Sequence, residues 1–334
     1  MTINPDRMAA KEIFALLQLP AAESMETFSH KSFEIVELLL KEDSPLVGMT
    51  LMEMKKRYPA SYLVGMVQRG DEAFIPGGSF RLESGDRIGL TAATTQVEKL
   101  LKQIGLSKEK AHNIMIIGAS RIAYYLAVEL LKAGNRVTII DKDPEVCRRF
   151  AEVLPEAVIV CGDAAAEELL QEEGLDSADA FVTLTGIDEE NILLSYLAQS
   201  HGVGKTISKI NREEFSVMAQ KLGLDCIISP RALMSNVITR YARALENSMG
   251  CSVETLYRLM DGKVEALEFK VREDYDFTGI PLKELKLKKN VLIAGIIRDR
   301  VVRIPGGDDF IQKGDRVVLL TSGHKISDLA DIME

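Results

Sequence analysis

Two groups of residues carry types and spacing suited to holding a nucleotide. Gly118-Ala119-Ser120-Arg121-Ile122-Ala123 is a glycine-led turn, and Asp141 follows Gly118 by 23 positions. A glycine-led turn that opens a helix offers free backbone N–H groups and a partial positive charge to a pyrophosphate. A carboxylate about 20 residues further on accepts hydrogen bonds from a ribose. The dinucleotide fingerprint G-x-G-x-x-G/A is met at Gly118 and at Ala123, but Ser120 replaces the glycine that lets backbone approach phosphate. The same residues also suit a wound sheet whose cleft is empty. Asp141 accepts from a 2′-hydroxyl and repels a 2′-phosphate, which favours NAD(H) or adenine nucleotides over NADP(H). The neighbouring Lys142 softens that preference.

The elements that position these groups read directly from the pattern. Asn113 to Ile117 is a short apolar run suited to a buried strand. Ile122, Leu126, Leu130 and Leu131 then recur at helical spacing. Gly134-Asn135 ends that helix, and Arg136 to Ile140 is a second buried strand with Asp141 at its carboxyl end. Further strands are expected at Val158–Cys161, Ala180–Leu184, Thr206–Ile210 and Asp225–Ile228, with helices between them. Alternating strands and helices predict a parallel wound sheet, whose ligands lie along the carboxyl ends of the strands. Gly162-Asp163-Ala164 and Thr185-Gly186-Ile187-Asp188 stand at two such ends. Asp163 and Asp188 are equally suited to capping helices.

Composition narrows the classes. The 334 residues suggest two or three domains, and 46% hydrophobic with 27% charged residues is ordinary for a globular protein. A net charge of −9 argues against nucleic acid as a main partner. The longest apolar runs, such as Val291 to Ile297, are far short of a membrane span, so no direct membrane insertion is expected. Cys147, Cys161, Cys226 and Cys251 lack C-x-x-C spacing and read as thiols in a reducing cytoplasm rather than a metal site. His30, His112, His201 and His324 are scattered, so neither a metal constellation nor a positioned acid–base for hydride transfer is evident.

An internal repeat flanks the wound sheet. Residues 33–100 show a strand at Phe33–Leu40, a short helix ending near Lys56, a strand at Tyr62–Gln68, and a hairpin turn at Gly85-Asp86 before the strand Arg87–Thr91. Residues 253–334 repeat this region. Gly48 matches Gly279, Ile75-Pro76-Gly77-Gly78 matches Ile304-Pro305-Gly306-Gly307, and Gly85-Asp86-Arg87 matches Gly314-Asp315-Arg316. Asn4-Pro5 likewise matches Ser229-Pro230, each opening a helix with proline in its first turn. The second of these helices is expected to run to about Met249 with Gly250 closing it, and to present Leu233, Val237, Ile238, Tyr241 and Leu245 to another subunit or to an ordinary surface. The first is expected to be the last helix of a wound sheet that precedes this sequence.

This organisation resembles the RCK (regulator of potassium conductance) family, most closely its TrkA-type members. The resemblance covers the whole chain and rests on Gly118–Ala123, Asp141-Lys142-Asp143-Pro144, Gly162-Asp163-Ala164, Thr185–Asn191, the paired Gly-x-x-Leu and Ile-Pro-Gly-Gly motifs and the Gly-Asp-Arg turns. It implies a Rossmann-like doubly wound parallel sheet domain flanked by two small α+β TrkA-C (RCK-C) domains. The implied boundaries are 1–30 for the leading crossover helix, 31–108 for the first RCK-C domain, 109–232 for the RCK-N domain, 233–252 for a crossover helix and 253–334 for the second RCK-C domain. It implies regulation rather than catalysis. NAD(H), or alternatively ATP or ADP, would sit in the RCK-N cleft against Gly118, Ala119, Ser120, Arg121, Ile122, Asp141, Lys142, Gly162, Asp163, Ala164, Thr185, Gly186 and Lys209. Arg121 would reach the phosphates, and its fork suits them. The implied partners are a potassium-translocating membrane subunit of Trk type and further copies of the chain, as a dimer or a tetrameric ring. The implied location is cytoplasmic, peripheral on the inner face of the cell membrane. Two other readings of the same residues are an NAD-dependent oxidoreductase and a cyclic di-AMP sensor acting through the RCK-C domains.

Overall fold

The computed structural model describes residues 4–27, 34–106, 110–224, 226–247, 253–260, 262–272, 275–299 and 301–334. His30, Phe33, Asp225, Met249, Gly250 and Cys251, which figure in the expectations above, lie outside them. The chain opens with α1 (Pro5–Gln18). A first small sheet follows, from β1 (Ser24–Thr27), β2 (Glu34–Leu39), α2 (Leu51–Arg57), β3 (Tyr62–Arg69), β4 (Glu72–Phe74), β5 (Arg87–Ala92) and α3 (Thr94–Gln103). The central stretch runs β6 (Asn113–Ile117), α4 (Arg121–Lys132), β7 (Arg136–Asp141), α5 (Pro144–Val153), β8 (Val158–Cys161), α6 (Glu167–Glu172), β9 (Ala180–Thr183), α7 (Asp188–Ser200), β10 (Lys205–Lys209), α8 (Glu213–Lys221), β11 (Ile227–Ile228) and α9 (Pro230–Asn247). The last part holds β12 (Val253–Leu259), β13 (Val264–Lys270), β14 (Val291–Arg298), β15 (Val301–Arg303) and β16 (Arg316–Thr321).

These elements form two compact units. The first takes α1 together with the central stretch up to the start of α9. Its sheet has the order β11-β10-β9-β6-β7-β8, and every pairing in it is parallel. The chain winds outward from β6 through β7 to β8, then crosses back to β9 on the other side of β6. The order therefore reverses between β6 and β9, which opens a crevice above their carboxyl ends. Phe181, Ile116, Ile139 and Val182 are fully buried on strands covered by helices, as expected of a parallel sheet.

The leading helix does not stand alone. Asn4 caps α1 by accepting from the Arg7 N–H, with Pro5 at the first helical position. Its apolar stripe, Ala9, Ala10, Ile13, Leu16 and Leu17, is buried, and α1 packs along α4. The covering surface lies more than a hundred residues later. On α9, Ile238 and Tyr241 are exposed, whereas Val237 is buried and Leu233 half-buried, so the stripe read from its periodicity is divided between covered and open positions.

His201 fastens the lower edge of this unit. It follows the last turn of α7, and its ring nitrogens lie 3.0 Å from Asp176 Oδ1 and 3.2 Å from Glu167 Oε1. The two carboxylates raise the affinity of the imidazole for its proton, Asp176 most. Asp188 was expected to cap its own helix. It is instead the first residue of α7 and reaches sideways, accepting from the backbone N–H groups of Asn211 and Arg212 ahead of α8. Those two N–H groups precede a helix with no side-chain cap of its own, so a buried carboxylate satisfies donors that would otherwise be orphaned.

The second unit holds the two repeats, and their strand orders correspond: β1-β2-β5-β3-β4 and β12-β13-β16-β14-β15, all antiparallel. Each repeat bulges at the same place, between Val64 and Met66 in one and between Ile293 and Gly295 in the other. Ile35 and Met66 of the first sheet share a core with Leu259, Ala266, Ala294, Val318 and Leu320 of the second. A Cβ on Gly65 would stand 2.3 Å from Leu320 Cδ1, inside that core, so the bulge glycine sets how closely the sheets approach. The Gly-Asp-Arg turns carry a repeated ion pair. Buried Asp86 accepts from Arg69 Nε and Nη2 at 2.7 and 2.9 Å, and buried Asp315 accepts from Arg298 Nε and Nη2 at 2.8 Å each. Each carboxylate also takes a turn N–H, from Glu83 and from Gln312.

Two outcomes follow from these contacts. Asp86→Ala and Asp315→Ala each lower unfolding stability by about 1.5–3 kcal/mol, read as a shift of the urea midpoint. His201 binds its proton more tightly when folded, so its contribution is complete below about pH 6.5. It is lost as pH rises through the raised folded value. A pH series of melting temperatures should show that decline in the wild type and a flatter profile in His201→Gln.

Candidate nucleotide-binding site

The crevice at the strand reversal holds a cavity of about 320 Å³, within the usual range for small-ligand sites. Its walls come from four strand ends. Ile117 to Ser120 follow β6, Ile140 to Lys142 close β7, Gly162 to Ala164 follow β8, and Leu184 to Ile187 follow β9, with Glu190 from α7.

The turn after β6 is shaped by backbone constraints. Gly118 has φ +92°, and a Cβ there would lie 2.9–3.0 Å from the backbone of Leu184 and Thr185. Only glycine combines that conformation with that approach. Ser120 adopts an extended conformation, φ −88°, that any residue takes, and its hydroxyl accepts from the Ala123 N–H at 3.3 Å. Where the fingerprint has its second glycine, this chain therefore has a helix cap. The cap occupies the Ala123 donor and leaves the N–H groups of Arg121 and Ile122 in the first turn of α4.

Asp141 closes the turn. Its carboxylate accepts from the Ala119 N–H at 2.7 Å and from the Asp143 N–H at 2.9 Å, while its carbonyl accepts from Gly162 N–H. Two N–H bonds leave acceptor capacity on the carboxylate for a ligand hydroxyl. Beneath it, Cys147 Sγ lies 3.2 Å from the Asp141 carbonyl. Burial and the neighbouring Cys161 push the Cys147 thiol up to about 11, which keeps it a protonated donor.

The β9 side is held by a residue absent from the expected site. Asn191 is fully buried on α7; its Oδ1 accepts from Thr185 N–H and hydroxyl at 3.0 and 2.8 Å. Its Nδ2 donates to the Lys209 and Thr185 carbonyls at 2.8 and 3.3 Å, which ties the ends of β9 and β10 together. Thr183, Ser195 and Ser208 continue the buried network below it. An asparagine within a helix carries little sequence signal, but its position six residues after a strand-end threonine is a usable one.

Ten of the residues expected from sequence line the cavity: Gly118, Ala119, Ser120, Asp141, Lys142, Gly162, Asp163, Ala164, Thr185 and Gly186. Three others lie elsewhere. Ile122 is buried on the inner face of α4. Lys209 sits behind the β9 wall with Nζ 3.4 Å from the Leu184 carbonyl, and burial lowers its proton affinity. Arg121 is turned outward, its Nε 2.9 Å from Asp6 Oδ2. Asp163 forms a local turn, accepting from Ala165 N–H at 3.0 Å, rather than capping α6. Glu190 and Ile187 line the cavity although they were not among the expected residues. The lining thus carries three carboxylates, Asp141, Asp163 and Glu190, against the single amine of Lys142.

Comparison with known proteins agrees with this architecture. The TrkA-N domain family matches residues 114–230, and the TrkA-C domain family matches residues 35–105 and again 266–334. The Trk system potassium uptake protein TrkA homolog 1 of Methanosarcina mazei is 28% identical over 330 residues, covering 98% of this chain and 72% of its own length. The TrkA homolog of Archaeoglobus fulgidus is 29% identical over 330 residues, covering 99% and 73%. Among solved structures, the GsuK RCK domain superposes with a TM-score of 0.53 at 20% identity, covering 96% of this chain and 68% of that one. The GsuK channel bound to NAD superposes with 0.54 at 19%, covering 96% and 56%. At such identities the structural likeness speaks for the fold. The sequence matches, the repeated small sheets and the parallel sheet between them in sequence agree: the chain is built from one TrkA-N domain and two TrkA-C domains.

Proposed function

We propose that this chain is a nucleotide-sensing regulatory subunit of a Trk-type potassium uptake system, with NAD(H) as the ligand of its TrkA-N cleft. The observation that carries the reading is the cavity at the strand reversal, closed by the Gly118 turn and by Asp141. The relatives' role in Trk potassium uptake and the NAD bound by a protein of the same fold support it. The ligand's pyrophosphate lies over the first turn of α4, and a ribose hydroxyl donates to the free acceptor positions of Asp141. A lining with three carboxylates and one amine favours the lower phosphate charge of NAD(H) over ATP. ADP and ATP remain the alternative ligands at this site.

The chemistry of the walls supports sensing over turnover. The Ser120 hydroxyl caps α4 and the Thr185 hydroxyl donates to Asn191, so neither is paired with a base as a nucleophile would be. No helix among the described residues is long and apolar enough to cross a membrane. In this reading the subunit lies on the cytoplasmic face and acts on a potassium-translocating membrane partner as a dimer or ring. Ligand occupancy changes that partner only by binding two assembly states unequally.

Calorimetric titration of the purified chain with NADH, ADP and ATP tests the reading. NADH is expected to bind most tightly, and Asp141→Ala to weaken it by on the order of ten- to a hundredfold. Gly118→Ala is expected to abolish binding, because its Cβ meets the β9 turn. Affinity for NADH unchanged in Asp141→Ala would overturn the assignment.

A further inference from the structure

The cleft as it stands is poorly matched in charge to a pyrophosphate, and the cation that would correct this is held elsewhere. Arg121 is the first residue of α4 and follows Ser120, which lines the cavity. Its side chain is 84% exposed, and an ion pair holds its direction. That pair is with Asp6 in the first turn of α1, whose carboxylate is only 19% exposed. Around it, Asn4 Nδ2 donates to the Tyr125 hydroxyl at 3.2 Å, a second polar contact between the start of α1 and α4. Asp6 also acts electrostatically on Lys209 behind the cavity wall. A carboxylate from α1 therefore holds the guanidinium nearest the phosphate turn.

We propose that Asp6 and the phosphates of a bound nucleotide compete for Arg121, so that filling the cleft releases the start of α1 from α4. This rests on the nucleotide reading of the cleft. An exposed ion pair shifts an equilibrium by only about two- to fivefold. A guanidinium that meets a phosphate forms paired, charge-assisted hydrogen bonds, here within the favourable field of a helix N-terminus. The phosphate is therefore the stronger partner once it is present. The exchange has a route out of the site, because α1 continues along the chain into β1, the edge strand of the first TrkA-C sheet. The coupling is reciprocal: the Asp6–Arg121 pair weakens nucleotide binding by the same factor by which a bound nucleotide weakens the pair.

The test is NADH titration of the full chain as wild type, Asp6→Asn, Arg121→Ala and the double variant. Both side chains lie at helix starts, and Asn keeps the shape of Asp6. Asp6→Asn is expected to bind about two- to fivefold more tightly than wild type, Arg121→Ala more weakly, and the double variant like Arg121→Ala. Hydrogen exchange supplies a second readout: NADH should speed exchange in the first turns of α1 in the wild type but not in Arg121→Ala. Equal affinities of wild type and Asp6→Asn, or a gain that persists without Arg121, would overturn the competition while leaving the cleft assignment standing. No NADH binding by any of the four proteins would overturn the cleft assignment and the competition together.

Discussion

The carboxylate of Asp141 is the interaction on which the TrkA-N unit depends. It closes the turn after β6 by taking the Ala119 N–H, and it fixes the start of α5 by taking the Asp143 N–H. Those bonds hold the end of β7 against the turn after β6, and the Asp141 carbonyl takes the Gly162 N–H after β8. The turn can lie there only because Gly118 has a positive φ and no Cβ to strike the Leu184–Thr185 backbone. The cavity follows from the strand reversal, but its floor is made by these two residues. A ligand would meet a surface already in place, so little ordering would be charged against its binding.

Across the sheet the same logic is repeated with one amide and one carboxylate. Asn191 uses both ends of its amide to join the tips of β9 and β10, and Asp188 uses both carboxylate oxygens on the loop that follows β10. Each buried polar side chain is matched to backbone groups that the parallel sheet leaves unpaired where its strands stop. Such networks stabilise only when complete, since a half-satisfied buried amide or carboxylate is costly. The wall opposite Asp141 is accordingly tied by several buried bonds, whereas exposed Arg121 is tied to the start of α1 by an ion pair with Asp6.

Much of the architecture was legible in the residues. The strand–turn–helix–strand from Asn113 to Asp141 was readable because its first strand holds an unbroken apolar run, its second is rich in β-branched residues and its helix has a clear stripe. The repeat was readable because turns are punctuated by glycine and proline, whose backbone demands do not drift. Short edge strands such as β1, β4 and β15 were missed, since three or four half-polar residues carry no period. Side-chain direction was the other limit. Motif position placed Arg121, Ile122 and Lys209 at the cleft, yet Ile122 faces the core, Lys209 lies behind a wall and Arg121 is drawn to α1. The Asp6–Arg121 pair joins residues 115 positions apart, which no local pattern encodes.

The shared core of the two small sheets has a consequence for how the repeats evolve and persist. Two copies that met as separate chains would part on dilution. Here the linking polypeptide holds each near the other at high effective concentration, so their association does not depend on how much protein is present. The tether also frees the copies from identity. One sheet presents Gly65 to Leu320 of the other, and a substitution on either side can be answered by its facing residue alone. The two halves are therefore free to drift into different roles, one adapting to a neighbour while the other preserves the fit.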